Sequence, residues 1–129
     1  MEKTALELST DEWRSYRPLE GLKRRLKHSE AEISARKGEG WKVARKAGQI
    51  LRKEFCVKKV VVFGSLARDE WFSLWSDIDI AAWGIAPEVF YSAVAAVTGL
   101  SSTFRIDLVD MAECRPILRK VIEEEGIEI

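Results

Sequence analysis

Apolar residues in this chain first keep a helical spacing and later gather into short unbroken runs. Ser9 and Glu12 have capping-box spacing, which predicts a helix start near Thr10. Pro18 interrupts whatever begins there, and a second helical stretch follows from Leu19 to Arg36, rich in Lys, Arg and Glu. Its apolar positions, Leu19, Leu22, Leu26 and Ile33, form only a thin stripe. Gly38 and Gly40 then punctuate the chain. From Trp41 onward, Ala44, Ala47, Leu51 and Phe55 recur at three- and four-residue steps, which predicts a helix with one buried face.

Shorter runs come next. The β-branched Val60-Val61-Val62-Phe63 reads as a buried strand, with a Gly64-Ser65 turn leading toward a further helix. After a polar and aromatic stretch, Ile78 to Trp83 forms a second apolar run with acids at its start. Pro87 opens a helix through Ala95, ending near Gly99; Phe104 to Val109 reads as a third strand; Pro116 to Glu125 reads as a closing helix stopped by Gly126. Alternation of helix and strand predicts a layered α/β domain over residues 41–129, preceded by a charged, basic helical extension over residues 1–40.

Composition refines this picture. With 129 residues, 47% of them hydrophobic, the chain suits one compact domain with an appended element. The formal net charge of +0 conceals an asymmetry. Met1 to Phe55 carries 14 Lys/Arg against 9 Asp/Glu, whereas the remainder carries 7 against 12. An acidic back half is a poor non-specific nucleic-acid surface but can hold cations. The front half reads as a solvated helix, or alternatively as a binding arm. Cys56 and Cys114 lack metal or redox spacing and read as buried or inert thiols, and His28 stands alone. With no signal-peptide pattern and no membrane-length apolar run, the expected location is the cytoplasm.

The candidate chemistry lies between the strands. Glycine directly after a strand permits a tight turn and a close approach of ligand to backbone. Ser65 adds a hydroxyl beside amides that can face an anion. Alone, a Gly-Ser turn is a weak signal. In Ser76-Asp77-Ile78-Asp79, strand alternation puts both carboxylates on one side. Two such carboxylates repel, and burial adds a desolvation cost that a divalent cation or a proton relieves. Oxygen ligands of this kind suit Mg²⁺, and Mn²⁺ accepts the same set. Asp107 lies within the apolar Arg105-Ile106-Asp107-Leu108-Val109 and needs a partner there; if that strand neighbours Ile78 to Trp83, it reaches the same site. Asp110, at the strand's exit, points to the opposite face.

Taken together, Val61-Val62-Phe63-Gly64-Ser65-Leu66-Ala67-Arg68, then Ser76-Asp77-Ile78-Asp79-Ile80-Ala81, then Ile106-Asp107-Leu108-Val109 resemble the minimal nucleotidyltransferase (MNT) family of the DNA polymerase β-like superfamily. The resemblance covers roughly Trp41 to Ile129 and implies a small mixed β-sheet flanked by helices. It implies a transfer of a nucleoside monophosphate, with AMP from ATP favoured, to a hydroxyl acceptor with release of pyrophosphate. Asp77 and Asp79 would coordinate two Mg²⁺ ions carrying the triphosphate. Asp107 would bind the catalytic ion and lower the pKa of the acceptor hydroxyl, or act on it as a base. Gly64 and Ser65 would hold the β- and γ-phosphates, with Ser76 supporting the loop and Arg68 nearby. The family often continues the turn as Ala-Arg-Gly, whereas here Asp69-Glu70-Trp71 follows Arg68, which leaves Arg68 open to a structural or a catalytic role.

Small members of the family resemble the antitoxin half of HEPN–MNT toxin–antitoxin pairs, in which the acceptor is a side chain of the HEPN toxin. That makes a HEPN-domain protein the expected partner, with no membrane and no nucleic acid. The alternative is a catalytically weak or inactive module that uses the fold for protein–protein interaction. Trp71, Phe72, Trp75 and Trp83 crowd near the site in sequence and are read first as packing residues, with a partner-binding face as the other possibility.

Overall fold

Three apolar runs with helical segments between them have to share one sheet, and the computed structural model shows how. It describes residues 18–68 and 71–129, with side chains from residue 30 onward. The predicted helix start near Thr10 lies outside the described residues. The chain divides into two units, Met1–Glu32 and Ile33–Ile129, and the second holds the sheet and the candidate chemistry.

Helix α1 is Pro18–Phe55, followed by strand β1 at Lys59–Phe63 and strand β2 at Ile78–Trp83. Helix α2 is Phe90–Thr98, strand β3 Ile106–Asp110, helix α3 Pro116–Glu125 and strand β4 Ile127–Glu128. The sheet order is β3-β2-β1-β4. β1 runs antiparallel to both β2 and β4, while β2 and β3 are parallel. The sheet is therefore mixed, as expected.

Three expectations need correcting. Gly38 and Gly40 do not interrupt anything, because α1 runs straight through them. A mid-helix glycine costs roughly 0.5–1 kcal/mol relative to alanine. At Gly40 a packing contact offsets that cost: a Cβ there would lie 3.2 Å from Leu66 Cδ1 and 3.6 Å from the Phe104 ring. The helix expected after Ser65 is only the 3₁₀ turn Gly64–Leu66. Antiparallel neighbours such as β1 and β2 can be joined by a loop, whereas parallel ones need a crossover. The one parallel pair has its crossover in α2, introduced by a 3₁₀ turn at Pro87–Val89. Lastly, regular structure does not end where Gly126 stops the closing helix, because Ile127 and Glu128, both exposed, pair with β1 as β4.

Alternating faces produce two cores. Val60, Val62, Ile78, Ile80, Ala82 and Ile106 are buried with Ala44, Ala47 and Leu51 of α1 and with Ala93 and Val97 of α2. Val61, Phe63 and Ala81 face the other way, onto Met111 and Ile122. Each large apolar side chain so buried contributes about 1.5–3 kcal/mol, which anchors the strands firmly on the first face. The second face has fewer buried residues, and it is the face that bears the acids. Cys56 is exposed, so the burial expected of it does not hold; Cys114 is half-buried. Among the described residues no helix is long and apolar enough to cross a membrane.

Candidate active site

β1 ends at Phe63, and Gly64 turns the chain with φ at +70°, a left-handed conformation that glycine adopts without strain. The Gly64 carbonyl accepts from the Arg68 amide at 3.1 Å, and Leu66, fully buried, pins the turn to the core. Ser65 is half-buried beside it. With only three residues of 3₁₀ helix here, the amides exposed by the turn have no long helix behind them.

Asp79 is paired across the sheet with Phe63, next to this turn. A Cβ on Gly64 would lie 2.4 Å from Asp79 Oδ2, so the carboxylate sits directly over the glycine. On its other side Asp79 is in register with Asp107 of β3, which satisfies the condition that the sequence could only pose. Asp77 precedes β2 by one residue and is half-buried, as are Asp79 and Asp107. Burial, then the charge of Asp107, then that of Asp77 push the Asp79 carboxyl up from 3.8 to about 6. Close to neutrality, Asp79 thus gives up its charge more readily than an ordinary carboxylate, because its acidic neighbours carry the same sign.

The other expected residues have partners within the protein. The Ser76 hydroxyl accepts from the Ser73 amide at 2.8 Å, bracing the loop before Asp77. Arg68 Nη1 lies 2.9 Å from Glu125 Oε1 of α3, and its guanidinium stacks on Trp71 at 3.6 Å. Asp110 points away from the site and caps the next turn, accepting from the Ala112 amide at 3.0 Å. The aromatic cluster splits. Phe72 is buried in the core, Trp83 is half-buried beneath Lys59, and Trp71 and Trp75 are exposed, against the packing role expected of them.

Two residues near the site were missed by sequence reasoning. Arg105 Nε is 3.4 Å from Asp107 Oδ1, an exposed pair that its i,i+2 position in a strand could have revealed. Arg36 of α1 donates to the Ser76 carbonyl at 3.4 Å and to the Thr103 carbonyl at 3.3 Å. It sat in what read as a solvated charged helix, and no signal in the sequence marks it out.

The donor set is all oxygen, which fits a hard divalent cation such as Mg²⁺. Among the described residues no three acidic, cysteine or histidine side chains close around a point that could hold an ion unaided. An open carboxylate set of this kind is completed by substrate phosphates and water. The upward push on Asp79 is the strain that a cation there would relieve.

Residues 45–129 match the family model described as "Polymerase beta, Nucleotidyltransferase". The chain belongs to the polymerase β-type nucleotidyltransferase family. No curated protein sequence matches it. Among solved structures, a tyrosine-to-alanine mutant of the toxin–antitoxin MntA–HpeT is similar, with 20% identity and a TM-score of 0.55 over 66% of this chain and 69% of that one. A tri-AMPylated Shewanella oneidensis HEPN toxin in complex with MNT antitoxin matches with 18% identity and a TM-score of 0.53, over 69% and 70%. A toxin–antitoxin with AMP-PNP matches with 18% identity and a TM-score of 0.52, over 64% and 69%. At such identities these structures establish a shared polymerase β-like fold. The nucleotidyltransferase match spans every strand and all three acids, while Arg36 and Gly40 lie outside it.

Proposed function

We propose that this protein is a Mg²⁺-dependent nucleotidyltransferase that moves AMP from ATP onto a hydroxyl of a HEPN-type partner protein, acting in the cytoplasm. The observation that carries the reading is the in-register pair Asp79 and Asp107, with Asp77 two residues before Asp79, beside the Gly64-Ser65 turn. The solved relatives supply the partner and the nucleotide, since one is described with an AMPylated HEPN toxin.

In this reading Asp77 and Asp79 would hold both Mg²⁺ ions, with Asp107 sharing the catalytic one and Mn²⁺ able to substitute. Such ions, when bound, would supply charge neutralisation for the triphosphate and for the oxygens that gain charge during transfer. Gly64 lets the turn pass directly under the Asp79 carboxylate, and the Ser65 hydroxyl and turn amides donate to the β- and γ-phosphates. The Ser76 hydroxyl keeps the loop before Asp77 in place, and Arg68 lies beyond the same turn. Asp107, the half-exposed acid, is within reach of an incoming acceptor and takes its proton. The acceptor oxygen then forms a bond to the α-phosphorus as the α–β bridging bond breaks, and pyrophosphate leaves with the electron pair.

A second reading is a binding module that acts by protein–protein contact alone. Two contacts favour it: Arg68 is engaged by Glu125, and Asp107 by Arg105. The deciding experiment incubates the purified protein with α-labelled nucleoside triphosphates and Mg²⁺, with and without the product of the adjacent gene. Label on the partner that vanishes with Asp77→Asn and Asp79→Asn supports transfer. Tight binding without label from any triphosphate leaves the binding module.

A further inference from the structure

Helix α1 touches each of the three segments that carry the candidate site. At Gly40 it packs against Leu66, within the phosphate turn, and against Phe104, just before β3. One turn earlier, Arg36 extends across the starts of β2 and β3. Its Nη2 donates to the carbonyl of Ser76, the residue before Asp77, and to that of Thr103, three residues before β3 begins. The guanidinium lies over the Phe104 ring, 4.1 Å from its centroid. Its Nε is buried without a hydrogen-bond partner. A buried donor costs free energy when unsatisfied, so a freely rotating arginine would turn it to water. The guanidinium keeps this pose because the ring face and the two carbonyls hold the rest of it.

Two residues further along each chain comes the first backbone bond joining the strands, from the Ile78 amide to the Arg105 carbonyl at 2.9 Å. Beyond it stands the Asp79–Asp107 pair. The two carboxylates stand in register on adjacent strands and carry the same sign. Two like charges facing each other across a parallel pair favour any slack that lets the strand ends part. A cation clamped on both incoming chains opposes that parting at the point where it would start. Both bonds leave the one nitrogen, Nη2, so a lysine ammonium could make them too, but it lacks the planar guanidinium face that lies over the Phe104 ring and holds the donor in place.

We infer that Arg36 is a positioning residue: it fixes the starts of β2 and β3 against each other and thereby sets the spacing of Asp77, Asp79 and Asp107. The inference rests on the transferase reading only for what the carboxylates bind; the brace itself can be tested without nucleotide or metal.

The test uses the full chain as wild type, Arg36→Met, Arg36→Lys and Val43→Ala. Val43 is a half-buried residue of the same helix that lines one cavity with Arg36 and Phe104, and its truncation loosens packing there while leaving the Arg36 donors in place. Amide hydrogen exchange compares Ile78 with Lys58, whose amide bonds the Trp83 carbonyl at the far end of β2. Arg36→Met should speed exchange at Ile78 by about tenfold relative to Lys58, the loss of a charge-assisted hydrogen bond, with Arg36→Lys intermediate and Val43→Ala unselective. Binding of Mn²⁺ alone, followed by its electron paramagnetic resonance signal, should weaken about threefold or more in Arg36→Met and stay unchanged in Val43→Ala. Equal acceleration at both amides, or at neither, overturns the inference. So does selective acceleration with unaltered Mn²⁺ affinity, because the carboxylates would then keep their spacing without the brace. If Ile78 responds selectively but even the wild type binds no Mn²⁺, the brace stands and the transferase reading falls.

Discussion

A Cβ placed on Gly64 would lie 2.4 Å from Oδ2 of Asp79 and 3.2 Å from its Cγ, so the carboxylate rests on backbone that no other residue leaves bare. The same residue holds φ at +70°. Turn and acid are thus one device, and the sequence separates its halves by a loop.

Gly64→Ala should therefore lose stability and function together. The left-handed conformation alone costs a side chain about 1–2 kcal/mol, and displacing Asp79 adds to it. Urea unfolding is expected to show a loss of about 2 kcal/mol or more, with label transfer abolished. A stable, active Gly64→Ala protein would remove Gly64 from the site.

Asp79 makes stability depend on pH in a defined direction. Its carboxyl titrates near 6 when folded and near 3.8 otherwise, so the folded state binds more protons between those values. Stability from this group is full below about pH 3.8, is lost as pH rises through 6, and is flat above. Asp79→Asn should thus stabilise the metal-free protein at pH 7–8 by about 1 kcal/mol, after discounting for the half-exposed carboxylate, and change little near pH 4. Thermal melts at both pH values check this; an equal shift at both would contradict it.

Mg²⁺ should raise the melting temperature of the wild type at pH 7.5 and not that of Asp79→Asn. At a concentration about a hundred times its dissociation constant, an ion that binds only the folded chain stabilises it by about 2.7 kcal/mol. No Mg²⁺-dependent shift in the wild type at millimolar concentrations would count against the carboxylates as a cation site.

Arg105 competes with a cation for Asp107 at 3.4 Å. Because Arg105 is well exposed and Asp107 only half-buried, Arg105→Ala should alter stability by less than about 0.5 kcal/mol. It should lower the Mg²⁺ concentration for half-maximal transfer about two- to threefold, a gain within reach of an exposed ion pair. A rise in the Mg²⁺ requirement would instead mark Arg105 as a contributor to substrate binding.

Glu125 engages Arg68 from α3. If Arg68 serves the triphosphate, Arg68→Ala should raise the KM for ATP about tenfold, the worth of one charge-assisted contact, while Glu125→Gln should leave it unchanged or lower it. If both variants lose stability to the same degree and neither moves KM, the pair is a structural tie.

Much of the fold could be read because burial leaves a compositional trace. Val60 to Phe63 is apolar on both faces, and Ile78 to Trp83 is so except at Asp79, since helices cover one side and Met111 and Ile122 the other. Pro116 opens α3 where its fixed φ suits a first helical turn, and Gly126 closes it in extended backbone, where a Cβ would collide with Val61 and the Ile122 carbonyl. Elements made by partnership alone left no such trace. β4 is two exposed residues held by pairing with Val61 and Val62. The missing helix after Ser65 reflects strand direction, which composition does not encode. In the site, the alternation of Asp77 and Asp79 was legible, but their meeting with Asp107 depended on which strands are neighbours. Arg36, 40 residues from its carbonyl partner at Ser76, looked like any other charge on a polar helix.

The contact between Gly40 and Leu66 also bears on where this protein can be cut. The family match begins at Arg45, and a chain trimmed to that boundary would retain Gly64, Ser65 and every acid. It would also strip the cover from Leu66 and Phe104, baring two core side chains beside the glycine turn. Such a fragment should be sticky and inert despite a complete set of signature residues. Inactivity measured on it would describe the cut, and trimming to residue 33 would give the fairer minimal unit.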